Sequence, residues 1–149
     1  LGSEKPDGWL HGLVYSSADL YADAVPCLEA VRGLGLRVGI AGNQTEALEG
    51  WVHALRLPAD VIVSSASLGI RKPDPRFFER LVELSEATPE DVAYVGDRVD
   101  NDVLPAAAAG LVAVHVRRGP WGRLQATPPE AALGLDDLAS LPEALASLR

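Results

Sequence analysis

The chain has 149 residues, enough for one domain with a sizeable core, and 48% of them are apolar. Its formal net charge of −8 argues against nucleic acid or an anionic membrane surface as a partner, because both attract concentrated Lys and Arg. No apolar run approaches the roughly 20 residues that a membrane-spanning helix needs. The single cysteine, Cys27, excludes an internal disulfide and favours a reducing compartment, so we expect a cytoplasmic protein.

The N-terminal stretch, residues 1–20, mixes Gly, Ser, Pro and Asp with scattered apolar residues and has no clean period. It is typical of a linker or of the end of another substructure. The sequence contains no Met and begins at Leu1, which is not a residue from which an initiator Met is normally removed. We therefore interpret the chain as trimmed at its N-terminus.

Predicted helices and strands alternate over the rest of the chain. Apolar residues at helical spacing predict a first helix from Val25 to Leu34, and Gly35 suits its C-terminal cap. Four buried strands are predicted, at 36–42, 61–66, 92–96 and 111–116. The predicted helices between and after them are one capped by Asn43, one after Pro75, one over 102–109 ended by Gly110, and one over 135–148. This alternation indicates an α/β fold: a Rossmann-like parallel sheet with helices on both faces.

Polar residues follow three of the predicted strands, where ligands bind in sheets of this kind. Gly42 and the amide Asn43 come at the end of the first strand, Arg71 and Lys72 come after the second, and Asp97, Asp100 and Asp102 come after the third. Two prolines stiffen the loop around Lys72, so we expect a rigid turn whose lysine faces solvent. Because amides and an ammonium hold phosphate while carboxylates hold a hard cation, this rim is predicted to bind phosphate and Mg²⁺.

The motifs VGIAGN (38–43), RKPDP (71–75) and VGDRVDND (95–102) resemble, in order, the later three motifs of the haloacid dehalogenase-like (HAD) hydrolases. The acidic motif is especially similar to that of the phosphatase branches. The resemblance covers residues 21 to about 118, and it implies a HAD-like core over 21–149. Residues 1–20 would then be a linker or the remnant of a cap segment.

The resemblance also implies an activity: Mg²⁺-dependent hydrolysis of a small phosphorylated metabolite through an aspartyl-phosphate intermediate. Lys72 would be catalytic, neutralising the nucleophile and the phosphate oxygens, and Gly42 and Asn43 would help it bind the phosphoryl group. Asp97 would bind Mg²⁺, and Asp102 would either ligate the ion directly or orient it from outside its coordination shell.

Two departures from the family pattern keep an alternative open. The second motif usually supplies a Ser or Thr hydroxyl where this chain has Gly42. No DxD motif, the family's source of the nucleophile, follows any strand in residues 1–35. The alternative is a catalytically impaired HAD-fold protein that binds a ligand or partner. Neither the substrate nor the oligomeric state is indicated by the sequence.

The absent DxD strand also leads to a structural expectation, since in the family it lies between the strands that end here at Gly42 and Gly96. We expect one of three arrangements: a strand from residues 1–20, such as 11–17, in the central position; a strand donated by another chain; or direct pairing of the two flanking strands.

Several other polar and aromatic residues are interpreted as having no catalytic or metal-binding role. Arg98 and Arg71 are interpreted as surface or salt-bridging residues, and Asp100 as a solvated acid. Trp121 lies in a Gly/Pro loop after the last strand, where core packing and contact with the rim are both open. The three histidines, which are His11, His53 and His115, lack the spacing of metal ligands.

Overall fold

The computed structural model describes residues 16–149. Its helices and strands are, in chain order, α1 (Ala24–Gly33), β1 (Gly39–Gly42), α2 (Leu48–Ala54), β2 (Val61–Ser64), α3 (Ser65–Leu68), α4 (Pro75–Ser85), β3 (Ala93–Gly96), α5 (Leu104–Ala108), β4 (Val112–Val116), α6 (Gly119–Leu124), β5 (Leu133–Leu135) and α7 (Leu141–Ser147). Short 3₁₀ turns form at Ser17–Asp19 and Pro89–Asp91, and a π-helical turn over Val99–Val103 leads into α5.

All strand pairs in residues 16–149 are parallel, and they form two sheets. In the first, β1 pairs with β2, with Gly42 opposite Ser64. In the second the order is β3-β4-β5, with Gly96 opposite His115. Because all strands of a parallel sheet point the same way, the loops that follow β1 and β2 leave one edge together, as do those that follow β3 and β4.

The expected direct pairing of the two flanking strands is wrong, because β1 and β3 belong to different sheets. Backbone pairing needs a matched register and side chains that suit both faces, and β1 meets that need with β2 while β3 meets it with β4. The alternative strand at 11–17 lies largely outside the described residues. A strand from another chain stays a prediction.

Helices cover both faces of the three-stranded sheet, as neighbouring residues of β4 show. Ala113 belongs to a cluster to which α4 contributes Phe77 and Phe78 and α5 contributes Ala106, together with Tyr94, Val103 and Leu111. Val114 belongs to the opposite cluster, to which α1 contributes Cys27 and Val31 and α7 contributes Leu141 and Leu145, together with Val38 before β1. Successive strand residues point to opposite faces, and the last four residues of β4 are all buried, so this strand requires cover on both faces.

Helix α4 anchors the loop that carries Lys72. Asp74 caps it by accepting a hydrogen bond from the Arg76 amide, and Pro75 occupies its first turn, where no amide donor is needed. Phe77 and Phe78 are fully buried within one turn of that cap and pack edge to face. Burying two aromatic side chains at the start of α4 fixes the position of the preceding loop and so of Lys72.

Several predicted elements change at their ends. Asn43 does not cap α2, which begins at Leu48 after Ala47. The helix predicted over 102–109 is a π-helical turn followed by the shorter α5. Strand β5 and helix α6 were not predicted, because three residues or a Gly/Pro-rich segment carry too short a periodic signal. No helix within residues 16–149 is long and apolar enough to cross a membrane.

Candidate functional site

Lys72 is held in place by the side chain of Asn43. The Lys72 backbone amide donates to Asn43 Oδ1 at 2.8 Å, and Asn43 Nδ2 donates to the Lys72 carbonyl oxygen at 3.0 Å. The pair joins the loop after β1 to the loop before α4. Both polar atoms of the Asn43 side chain are used in this way, so the side chain positions the lysine. For a phosphate, the donor of Asn43 would then be its backbone amide.

The Lys72 ammonium forms a buried ion pair with Asp102. Nζ lies 2.5 Å from Asp102 Oδ1, and the two side chains are only 11% and 5% exposed. The expectation that this lysine faces solvent is therefore wrong. The turn presents the side chain inward because a buried carboxylate lies within its reach, and a charge removed from water needs such a partner.

Asp102 in turn lies against the end of β3. Its Oδ2 accepts a hydrogen bond from the Arg98 backbone amide at 3.1 Å, while Oδ1 receives the lysine. A Cβ atom on Gly96 would lie 2.4 Å from the Asp102 Cβ, closer than side chains approach one another. Glycine at position 96 is thus what allows the carboxylate to pack on the strand end.

Asp97 differs from Asp102, because its side chain has no hydrogen bond or ion pair to any other residue in 16–149. It borders an open cleft of about 290 Å³ with Gly96, Arg118, Gly119 and Tyr21 among the lining residues. Asp97 and Asp102 act together on Tyr94: burial raises the pKa of this phenol strongly, and the two negative charges raise it further. Tyr94 is therefore neutral, and it belongs to the buried core beneath the end of β3.

The two carboxylates can be tested as a magnesium site. Within residues 16–149, no group of three or more His, Cys, Asp or Glu side chains is arranged to hold a metal ion. Mg²⁺ is commonly held by one or two carboxylates, with water and substrate phosphate completing the octahedron. Asp97 fits that requirement with a carboxylate that is not otherwise engaged. Asp102 already uses both oxygens, so it fits the orienting role better than direct ligation.

Gly42, at the end of β1, is in open surroundings. Among residues 16–149, a Cβ atom built there would meet only the Gln44 side chain, at the ordinary contact distance of 3.5 Å. Packing against residues 16–149 therefore leaves room for a Cβ atom at the position where the family pattern has a hydroxyl residue.

Arg98 and Asp100 form an ion pair on the rim, with Nη2 and Oδ2 2.7 Å apart. The hydrogen bond from Arg98 holds the pKa of the Asp100 carboxyl below its usual value. The Arg98 guanidinium also lies 4.5 Å from the centroid of the Trp121 ring. Trp121 is 49% exposed, so of the two alternatives left open by the sequence it contacts the rim and is not in the core.

Sequence reasoning missed a second anchored cation, Arg118, in the loop after β4. Its Nη1 lies 2.8 Å from both carboxylate oxygens of Asp23, and Asp23 also accepts from the Leu138 amide. Burial alone would raise the pKa of Asp23, but these hydrogen bonds and the charge of Arg118 hold it below its usual value. Tyr21 stacks on the same guanidinium at 3.7 Å. No local pattern links residues so distant in sequence.

The sequence can now be compared with known proteins. A sequence model described as haloacid dehalogenase-like hydrolase matches residues 11–110, more than half of the chain. The chain belongs to the haloacid dehalogenase-like hydrolases. This match establishes the family predicted from the three motifs, and the α/β, Rossmann-like fold class is that of the HAD core.

Curated relatives of this HAD chain include phosphatases. It is 32% identical over 115 residues to a glyceraldehyde 3-phosphate phosphatase of Methanopyrus kandleri, covering 74% of this chain and 49% of that protein. It is 36% identical over 118 residues to a phosphoserine phosphatase of Thermus thermophilus, covering 76% of this chain and 45% of that protein. The chain thus spans about half the length of the curated relatives it matches.

Solved structures agree with the fold. The chain is similar to a HAD phosphatase from Thermococcus onnurineus with a TM-score of 0.74 and 25% sequence identity. The alignment covers 85% of this chain and 58% of that one. The arrangement of parallel strands and flanking helices is therefore shared with an experimentally determined HAD structure.

Proposed function

We propose that this chain forms part of a Mg²⁺-dependent phosphohydrolase that acts on a small phosphorylated metabolite. The observation that carries the proposal is the pair of neighbouring acids at the end of β3. Asp102 is buried and neutralised by Lys72, whereas Asp97 has no partner within residues 16–149. One acid thus orders the lysine, and the other is available for a ligand.

In this proposal the chain's own residues bind and orient the phosphoryl group. The Lys72 ammonium attracts its oxygens, and the backbone amides that follow β1, at Gly42 and Asn43, donate hydrogen bonds to them. Asp97 would hold Mg²⁺, which would offset the negative charge that develops on the transferred group. Asp102 keeps the lysine and the Arg98 backbone in place.

An aspartyl-phosphate intermediate further requires a nucleophilic Asp and a second acid to protonate the leaving oxygen. In the family both come from a DxD motif, which residues 1–35 do not contain. The proposed reaction therefore belongs to the full-length protein. The buried, unpaired Cys27 suits the reducing cytoplasm that we propose as its location.

The second candidate function is binding without turnover, and Gly42 is the observation that favours it. Replacing a hydroxyl by glycine keeps the backbone amide but removes one donor to a charged oxygen, which weakens binding of the transition state by about 1–3 kcal/mol. A site with Lys72 intact and this donor absent would still hold an anion.

The test uses Asp97→Asn in the full-length protein, with hydrolysis of a generic phosphate ester measured against Mg²⁺ concentration. We expect at least about a hundredfold loss of activity, because the change removes the ligand charge while keeping the side-chain shape. Asp136→Asn, which removes an acid that is paired with Arg117 after β5, is the matched control and should change little. Unchanged activity in Asp97→Asn would contradict the proposed metal ligand, and an inactive unmodified protein would favour binding without turnover.

A further inference from the structure

The acidic loop, which we define as residues 97–100, is held from one side by the segment that follows β4. This segment comprises α6 and the residue after it, Gln125. Its contacts reach the loop at a backbone amide, at a carboxylate and at a guanidinium. None of these three contacts is made to the Asp97 side chain, although Gly119 at the start of α6 lines the same cleft as Asp97.

The first contact satisfies a backbone donor that the π-helical turn leaves open. Val99 is the first residue of that turn, so its amide has no partner within the turn, and Arg98 before it provides no side-chain cap. Gln125 Oε1 accepts from the Val99 amide at 2.7 Å. A glutamine distant in sequence thus performs the capping that a local Ser, Thr or Asp commonly performs.

The second and third contacts hold the charged side chains of the loop. Gln125 Nε2 donates to Asp100 Oδ1 at 3.3 Å, and the same carboxylate accepts from Arg98 Nε and Nη2 at 3.2 and 2.7 Å. The Arg98 guanidinium lies against the Trp121 ring. The cation and the anion of the loop are therefore both tied to the α6 segment.

These contacts fix the backbone on the C-terminal side of Asp97. The Arg98 amide is held by Asp102 and the Val99 amide by Gln125, so the two peptide groups after Asp97 each have a defined partner. On its N-terminal side, Gly96 is paired in register with His115 of β4. We propose that Gln125 is a positioning residue that sets the direction of the Asp97 carboxylate toward its ligand.

The inference rests on the proposed function only in taking Mg²⁺ as the ligand of Asp97. It goes beyond that function because it assigns a role to a residue outside the three motifs. Carboxylate ligands act through their orientation, and a residue that orients a ligand changes metal affinity without touching the metal.

The chain directly after this segment offers a matched control in Thr127. Its Oγ1 lies 2.8 Å from His115 Nδ1 and accepts from Arg117 Nη1 at 3.1 Å, so it ties the chain after the segment to β4 and not to the acidic loop. Thr127→Val removes these contacts at nearly constant volume. It therefore tests what loosening the segment does when the contacts of Gln125 are intact.

The experiment compares Gln125→Leu, Gln125→Glu and Thr127→Val with the unmodified full-length protein by NMR. Amide hydrogen exchange at Val99 reports the cap, and the amide shifts of Asp97 and Arg98 during a Mg²⁺ titration report the metal site. Gln125→Leu loses a backbone partner, so we expect Val99 exchange to rise and the half-saturating Mg²⁺ concentration to increase, each by about threefold to tenfold. Gln125→Glu keeps the acceptor for the Val99 amide but places a second carboxylate beside Asp100, so it should restore the Val99 protection only in part.

The expected pattern is a raised Mg²⁺ midpoint in Gln125→Leu with an unchanged midpoint in Thr127→Val. The inference is overturned if Gln125→Leu speeds Val99 exchange and leaves the midpoint unchanged, if Thr127→Val raises the midpoint equally, or if Mg²⁺ shifts no amide in the unmodified protein. Hydrolysis of p-nitrophenyl phosphate by the unmodified protein tests the proposed function separately. If the Mg²⁺ midpoints are as expected but no hydrolysis is measured, the positioning role of Gln125 is supported and the proposed phosphatase activity is contradicted.

Discussion

The ends of β1 and β3 both carry a glycine followed by a polar residue, yet the two glycines are in opposite surroundings. Among residues 16–149, a Cβ atom at Gly42 would meet one flexible glutamine, whereas at Gly96 it would overlap the buried side chain of Asp102. A neutral amide, Asn43, serves the β1 end, and a charged group serves the β3 end. The difference shows that glycine is required by packing at the end of β3, whereas at the end of β1 it determines which hydrogen-bond donors are present.

Lys72 connects the two strand ends, and removing its side chain should have the largest effect. Lys72→Ala leaves Asp102 buried beside β3 without its cation, so we expect a loss of about 3–5 kcal/mol in the free energy of unfolding. Urea unfolding would measure it, with Arg71→Ala, an exposed neighbour, as a control that changes stability by less than about 0.5 kcal/mol. A stable Lys72→Ala protein would show that the β3 end does not depend on the β1 loop.

Adding one methyl group at each strand end tests the contrast directly. Gly96→Ala places a Cβ against the Asp102 Cβ, which can move away only if the backbone of the π-helical turn also shifts. We therefore expect the free energy of unfolding to fall by about 1–3 kcal/mol from overpacking. Gly42→Ala has room and should lie within about 0.5 kcal/mol of the unmodified protein. Thermal unfolding of the two variants, each compared with the unmodified protein, measures this difference in stability. Equal destabilisation would refute the difference between the two ends.

Acid should affect the second sheet through Asp23, whereas the neutral amide of Asn43 does not titrate. Burial raises the pKa of Asp23 in the folded state, but its hydrogen bonds and the charge of Arg118 outweigh this effect and lower the pKa below its usual value. A lowered pKa stabilises the fold above the unfolded-state value of about 3.9, and this stabilisation is lost as the pH falls through the folded-state value.

We therefore expect Asp23→Asn to cost about 1 kcal/mol at pH 7, since the pair is only partly buried, and to cost progressively less below about pH 4. Unfolding free energies measured from pH 7 to pH 2 would show this convergence. A difference that stays constant with pH would mean that the carboxylate charge contributes nothing.

The smallest effect on stability is expected for Gly42→Ser, at about 0.5 kcal/mol or less, because the β1 end has space. Its effect on activity should be larger. A hydroxyl that donates to a charged oxygen contributes about 1–3 kcal/mol, so kcat/KM of the full-length protein should rise by about tenfold. A fall in kcat/KM at unchanged stability would show that the glycine amide is already placed for the ligand.

Much of the candidate site was predictable because loops that follow parallel strands leave a sheet at a common edge. That rule grouped Lys72, Asp97 and Asp102, and the structure joins the first and last of them directly. It does not say which acid the lysine selects. The choice depends on the absence of a side chain at Gly96, which opens the strand end to Asp102 and leaves Asp97 without a partner in residues 16–149.

The amino-acid sequence by itself determined the alternation of strands and helices, their approximate bounds, the family motifs and the end of α1 just before Gly35, which has a positive φ of 81°. These depend on neighbours along the chain, whose spacing and backbone freedom can be read locally. Only the tertiary structure decided that Asn43 holds a lysine instead of capping a helix, that Gln125 caps a turn, and that Asp23 pairs with Arg118, 95 positions away. A polar side chain can satisfy its hydrogen bonds with many partners, and packing of distant segments selects which one is within reach.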